Sequence, residues 1–317
     1  MSKSQSSAPR LPSKLILTST KAYFTPSRTV EYLTSILDPA TGILPLLESH
    51  RSELLFVLIP DFLTIYPCSQ ILSSRYPSAS TSPPQDTNSD SDTNVDSTAW
   101  PLALGAQNAF QTPSSTPYGA YTGEITPAAI KSLGCAVVEL NHAERRRLLG
   151  ESDETAALKT GAVTRAGLVP LVCIGELARP DLDGPLSAAV GVAVRELTPQ
   201  IECVLGAVEG DAQVVIFAYE PVWAIGAAEP AGVEYVGPVV QAIREMAREV
   251  GLRSGKGGVE VKVVYGGSAG PGLWSGRANG GNGLGKYVDG LFLGRFAHKV
   301  DGVRGVVEEV VESLKGA

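Results

Sequence analysis

The chain has 317 residues, with 26 Lys plus Arg against 33 Asp plus Glu for a net charge of −7, 44% hydrophobic and 19% charged residues, and a mean hydropathy of +0.09. These figures exclude wholesale disorder and disfavour binding to nucleic acid or an anionic membrane, while leaving room for two domains or for one α/β barrel of roughly 250 residues with insertions. No apolar run reaches the roughly 18 residues of a membrane span, and four dispersed cysteines, Cys68, Cys135, Cys173 and Cys203, form no CxxC pair or disulfide framework, as a reducing cytoplasmic location would require.

Residues 1–13 are basic, Ser-rich and free of acid. They faintly resemble a transit peptide, but their prolines and short length predict a disordered tail. Short β-branched or apolar runs follow at KLILTS (14–19), LLFVLIP (54–60), LALGA (102–106), AVVELN (136–141), VPLVCIG (169–175), VVIFAYE (214–220), VKVVYGG (261–267) and GLFLGR (290–295). Most are apolar throughout instead of alternating, as strands buried on both faces of a parallel sheet must be. Stretches with helical spacing separate them, among them SRTVEYLTSIL, SAAVGVAVRELTPQIECVLG and VRGVVEEVVESLK. Eight strand-then-helix units predict a (β/α)8 TIM barrel in a single domain over residues 14–317, with a doubly wound open sheet as the structural alternative.

Two segments interrupt the alternation. Residues 77–99, dominated by Ser, Thr, Asp, Asn and Pro, cannot bury enough apolar surface to offset ordering entropy and are expected to be a disordered insertion after the second βα unit. The Gly-rich stretch at 275–285 lacks the Lys-Ser/Thr ending of a phosphate-binding P-loop and is read as a flexible loop.

In a parallel barrel the active site lies at the carboxyl ends of the strands. The polar residues there are Ser19 and Lys21 after the first strand, Gln107 and Asn108 after the third, and Asn141, His142 and Glu144 after the fourth. Glu176, Glu220 and Ser268 follow the fifth, sixth and seventh. Singly, each is more simply a cap, an ion pair or a structural histidine. Together they place a Glu base and an imidazole where they could flank a small carbonyl compound, with a Lys to stabilise developing negative charge. Gly residues in YGGS (265–268) and LFLGR (291–295) put backbone N–H groups where barrels often bind phosphate.

The strings AYEPVWAIG (218–226) and LNHAERRRLLGESDE (140–154) resemble the sixth-strand and catalytic-His segments of the triosephosphate isomerase family. GAQN (105–108), YTGEITPAAIKSLG (121–134), CIGE (173–176) and YGGS are similar to further motifs of that family, in the same order. The resemblance implies that Glu220 is the base and His142 the carbonyl-polarising group, roles belonging to the family's known chemistry. It implies that Lys21 contacts the substrate, that Glu144 organises the site, and that Ser19, Gly226, Ser268 and Gly294 bind substrate or its phosphate. Residues from Pro221 to about Glu229 would form a lid. No metal or organic cofactor is implied. The substrate would be a small phosphorylated aldose or ketose, with glyceraldehyde 3-phosphate and dihydroxyacetone phosphate first. YTGEITP, with Thr122 and Glu124, is similar to the loop tip through which family members form homodimers.

Several positions depart from the family pattern. Ser19 stands where the family has Asn, Ala143 where it has Ser, and Ala227, Ala228, Glu229 where it has Thr, Gly, Lys. Arg295 replaces the second Gly of a Gly-Gly pair, so its side chain would either crowd the phosphate pocket or add a charged contact. The altered hinge and Arg295 are similar to the branch of the family that isomerises four-carbon erythrulose phosphates, which is the alternative substrate. A silent barrel with a binding role is the rival of another class. A Schiff-base aldolase would need a Lys deep in a late strand, and Lys262 lies near the wrong end of the seventh.

Overall fold

The structure is a computed structural model that describes residues 11–78, 95–114, 116–210, 212, 214–226, 231–277 and 279–315. Eight strands, β1 (Lys14–Ser19), β2 (Leu54–Ile59), β3 (Ala103–Ala106), β4 (Cys135–Leu140), β5 (Val169–Ile174), β6 (Val214–Tyr219), β7 (Glu260–Tyr265) and β8 (Gly290–Leu293), pair in parallel, each with the next. The register of Leu15 with Gly290 and Leu17 with Phe292 joins β8 to β1 and closes the barrel. Both alternatives left by the alternation are thereby resolved in favour of the (β/α)8 TIM barrel.

The apolar runs read as they do because each strand is covered on both faces. Leu15, Leu17, Val57, Ile59, Val137, Leu171, Ile216 and Phe292 point inward and fill the barrel. The intervening Ile16, Phe56, Leu58, Val138, Phe217 and Val263 point outward into the layer under the helices. That outer ring consists of α1 (Pro26–Ile36), α2 (Ile43–Ser49), α3 (Phe62–Arg75), α4 (Pro127–Ser132), α5 (Ala143–Leu149), α6 (Asp153–Arg165), α7 (Leu186–Gly206), α8 (Val233–Arg253) and α9 (Val300–Leu314). Local sequence starts several of them. Thr25 accepts from Arg28 N ahead of Pro26, and Ser152 accepts from Thr155 N ahead of Asp153 and Glu154, whose charges suit a helix amino terminus. Among the described residues no helix is long and apolar enough to cross a membrane.

The chain is packed before the first strand: Leu11 is half-buried against the inner barrel cluster, and Ser13 Oγ donates to Glu53 O at 3.2 Å. The expected tail otherwise falls on residues 1–10, outside the described residues, as do 79–94 of the expected insertion. At the far end of that insertion Val95 packs against the core and its N–H donates to Ser132 O at 3.1 Å. The Gly-rich loop is tied down: Asn279 and Asn282 donate to Glu234 Oε1 at 3.0 and 3.1 Å, and Gly276, at φ +79°, turns where a side chain would strike Asn282 backbone. Lys262 is buried near the start of β7, paired with Glu260 at 2.9 Å, at the opposite end from the active-site loops.

Candidate active site

A cleft of about 1000 Å³ opens at the carboxyl ends of the strands. Its walls include Ser19, Lys21, His142, Glu144, Glu220, Gly226, Ser268, Gly294 and Arg295, the nine residues to which the sequence resemblance gives catalytic or substrate-binding roles. Two strand ends carry non-glycine residues in the left-handed region, Lys21 at φ +46° and Asn141 at φ +58°. Such backbone costs about 1–3 kcal/mol each and needs its surroundings to hold it. Gln107 does so for Lys21, its Nε2 donating to Lys21 O at 3.0 Å. With its amide oxygen turned toward Arg146, Asn141 accepts from Nε at 2.9 Å and from Nη2 at 2.5 Å.

The next residue, His142, caps α5. Its Nδ1 accepts from Glu144 N at 3.1 Å, which places the ring proton of the neutral imidazole on Nε2. Burial, then the Lys21 charge, lower its pKa to about 4, against an opposing pull from Glu144, so the ring is uncharged near neutrality. Nε2 points at Glu220 Oε2 across 3.3 Å without completing a hydrogen bond, and Oε2 is buried with no partner. Burial raises Glu220 to about 8; Lys21 opposes this, while Glu139 and Glu144 add to it. Lys21 Nζ donates to Glu144 Oε1 at 3.0 Å. Burial pulls the Lys21 pKa down, but that bond and the charges of Glu220, Glu144 and Glu139 outweigh it and leave the ammonium above its ordinary value. The centre thus pairs a proton acceptor of raised basicity with a neutral N–H donor, beside a fixed positive charge.

At the amino end of the expected lid, Glu176 Oε1 accepts from Tyr219 OH at 3.2 Å and from Trp223 Nε1 and Tyr235 OH at 2.8 Å each. At the other end Ala231 N donates to Tyr265 OH at 3.2 Å. The hinge residues Ala227, Ala228 and Glu229 lie outside the described residues. Arg295 is exposed on the rim and does not fill the cleft. Among the described residues no cluster of His, Cys, Asp and Glu is arranged to hold a metal ion.

Several polar residues at strand ends turn out to brace the site from outside. Asn108 Oδ1 accepts from Lys159 Nζ at 2.8 Å in a network that reaches Glu151 and Arg145. Gln107, Asn141 and Glu176 have the supporting contacts given above. One inward carboxylate escaped the sequence reading: Glu139 on β4, 3% exposed, beneath the cleft. Its signal was a charge in inward register with Val137, two residues earlier in an apolar strand.

The triosephosphate isomerase family profile matches residues 14–310. Among curated proteins the chain is similar to the L-erythrulose-1-phosphate isomerase of Pectobacterium atrosepticum, 40% identical over 211 residues, 66% of this chain and 72% of that protein. It is also similar to proteins of the same name from Mesorhizobium japonicum, 38% identical over 63% of this chain and 72% of the relative, and Rhizobium etli, 38% identical over 67% and 73%. With its closed eight-stranded barrel and a match that runs through all eight strands, the chain belongs to the triosephosphate isomerase family.

Proposed function

We propose that the chain is an isomerase that shifts a carbonyl between neighbouring carbons of a small sugar phosphate, and that its substrate is L-erythrulose 1-phosphate. The reaction type rests on one observation: a buried, unpaired Glu220 Oε2 opposes the neutral Nε2–H of His142 at 3.3 Å, with Lys21 alongside. Substrate size rests on the relatives, which are named for that four-carbon ketose, and on the departures at Ser19 and Arg295. The sequence reading put the three-carbon substrate first; the relatives reverse that order.

Glu220 takes the proton from C3, whose electrons form a C2–C3 double bond as the carbonyl oxygen on C2 gains negative charge. His142 Nε2–H and the Lys21 ammonium stabilise that charge. The hydroxyl proton moves from the oxygen on C3 to the oxygen on C2 by way of the imidazole. Glu220 then returns its proton to C2, leaving the carbonyl on C3 and the compound as erythrulose 4-phosphate. Backbone N–H groups at Gly226, Ser268 and Gly294, with the Arg295 guanidinium at the rim, hold the phosphate. The lid keeps water from the enediolate, which would otherwise expel the phosphate from C1.

A second reading, turnover of triose phosphates, is favoured by the intact AYEPVWAIG and catalytic-His motifs. A homodimer joined through the loop carrying the exposed Thr122 and Glu124, in a reducing cytoplasm, completes the proposal. The direct test is conversion of L-erythrulose 1-phosphate in deuterium oxide followed by NMR. Deuterium at the product carbon that receives the proton, absent with Glu220→Gln, supports the reading; no conversion by the wild type refutes it.

A further inference from the structure

The proposed reaction leaves one group of the substrate without a described partner: the hydroxymethyl carbon beyond the two reacting carbons. The phosphate would be gripped by the loops after β6, β7 and β8, and the reacting carbons held between Glu220 and His142. The far end of the molecule must then press into the cleft floor, away from the phosphate loops. Ser19 lines the cleft, and its Oγ is buried with no neighbour to bond except the Glu139 carboxyl, which it approaches without completing a well-formed hydrogen bond. Next to it on β4, behind the cleft lining, lies the Glu139 carboxyl, whose Oε2 is buried without a hydrogen bond. Cys173 on β5 points into the same barrel interior and is close enough to feel the charges of Glu220 and Glu139.

A carboxylate inside an otherwise apolar barrel is costly unless something hydrogen-bonds it. Here burial raises the Glu139 carboxyl to about 7, against the opposing effects of the Ser19 hydroxyl and the Lys21 charge. The carboxyl can accept a hydrogen bond from a hydroxyl when ionised and donate one when neutral, so it suits an alcohol at either side of neutrality. Ser19, a short side chain, leaves room above it.

Resting on the four-carbon reading above, we infer that Ser19 and Glu139 form the subsite for the terminal hydroxymethyl group of the substrate, with Glu139 as the hydrogen-bonding partner of its hydroxyl. A triose phosphate lacks this group and leaves the two side chains only each other, with Glu139 Oε2 unsatisfied. Selectivity for the longer ketose thus arises from the floor of the barrel, not only from the phosphate rim. A site built around a buried polar group rejects a substrate that cannot pair with it far more strongly than an apolar pocket rejects a missing methylene.

The test compares L-erythrulose 1-phosphate with its analogue in which the terminal hydroxyl is replaced by hydrogen. Wild type, Glu139→Leu and Ser19→Asn are assayed on both, with triose phosphate as a third substrate. We expect the wild type to lose about tenfold or more in kcat/KM on the analogue, and Glu139→Leu to discriminate less than about threefold. Ser19→Asn, which adds bulk above the buried charge without removing it, should lower the ratio of four-carbon to three-carbon kcat/KM about tenfold. A merely structural Glu139 would lower turnover of both four-carbon compounds equally; unchanged discrimination in Glu139→Leu overturns the subsite while the four-carbon function stands. Should Glu139→Leu fail to fold, the Ser19→Asn ratio decides alone, and an unaltered ratio overturns it. Absence of four-carbon turnover by the wild type rejects the function, and the subsite with it.

Discussion

A methyl group on Gly266 would lie 2.4 Å from Glu220 Oε1, so the backbone after β7 is the wall against which the Glu220 carboxyl rests. Only hydrogen fits there. The YGGS motif would therefore position the proposed base as well as the proposed phosphate site. Gly266→Ala should push the carboxylate off its line to the substrate and lower kcat about 10²-fold with a smaller change in KM, as small misplacement of a reacting group does. Steady-state kinetics on the variant, with circular dichroism to establish folding, measure this.

Removing the base is a larger change. Glu220→Gln keeps the shape but cannot accept a proton, and should cost about 10²–10⁴-fold in kcat/KM. His142→Gln should act mainly on kcat, because the imidazole's stabilising contact grows as charge develops on the carbonyl oxygen.

The pH profile follows from the same pair. Glu220 must be ionised to act, and its pKa in the free site is about 8, so kcat/KM should rise with pH through 7 to 8. Glu139 contributes to that high value, so Glu139→Gln should move the rising limb to lower pH. An imidazole lowered to about 4 adds no second limb in this range. A wild-type profile flat between pH 6 and 9 would contradict this assignment of the base.

Stability should depend on pH as well. Glu220 and Glu139 titrate near 8 and 7 in the folded chain against roughly 4.3 when unfolded, so their contribution is full below about pH 4 and is lost as pH rises through the folded values. His142, lowered to about 4 from roughly 6.5, opposes this between those two values, contributing stability that is lost as pH falls. The unliganded protein should therefore lose stability most steeply just above pH 6.5, by about 1.5–2 kcal/mol per pH unit. Denaturant titrations from pH 5.5 to 8.5 measure the slope, which Glu139→Gln should flatten.

At the start of the proposed lid, Trp223→Phe removes one of three donors to Glu176 and leaves the ring packing largely in place. A looser lid should admit water to the enediolate and raise the inorganic phosphate released per turnover severalfold, read by a phosphate assay alongside product formation.

How much of this was legible in the sequence differs by element. The strands could be read because burial on both faces makes them apolar throughout, as in VPLVCI of β5, buried at every position. Lys21, His142 and Glu220 could be read because the barrel gathers strand ends at one rim. Glu139 could not be read so easily, since within AVVELN it looks like a strand residue until the inward register is known. Asn108 looked like a site residue from its position alone, yet it turns to Lys159 on α6, a partner that only tertiary packing supplies. Composition predicted flexibility for the loop at 275–285, but Asn279 and Asn282 are anchored by Glu234, far away in sequence.

The most direct test is the ratio of kcat/KM for L-erythrulose 1-phosphate to that for glyceraldehyde 3-phosphate, measured on protein purified from a host that lacks its own triosephosphate isomerase, with Glu220→Gln prepared in the same way. The ratio should exceed about 10, with both activities lost in the variant. A ratio below one would contradict it and return the chain to triose phosphates, and activity that survives in Glu220→Gln would remove Glu220 as the base.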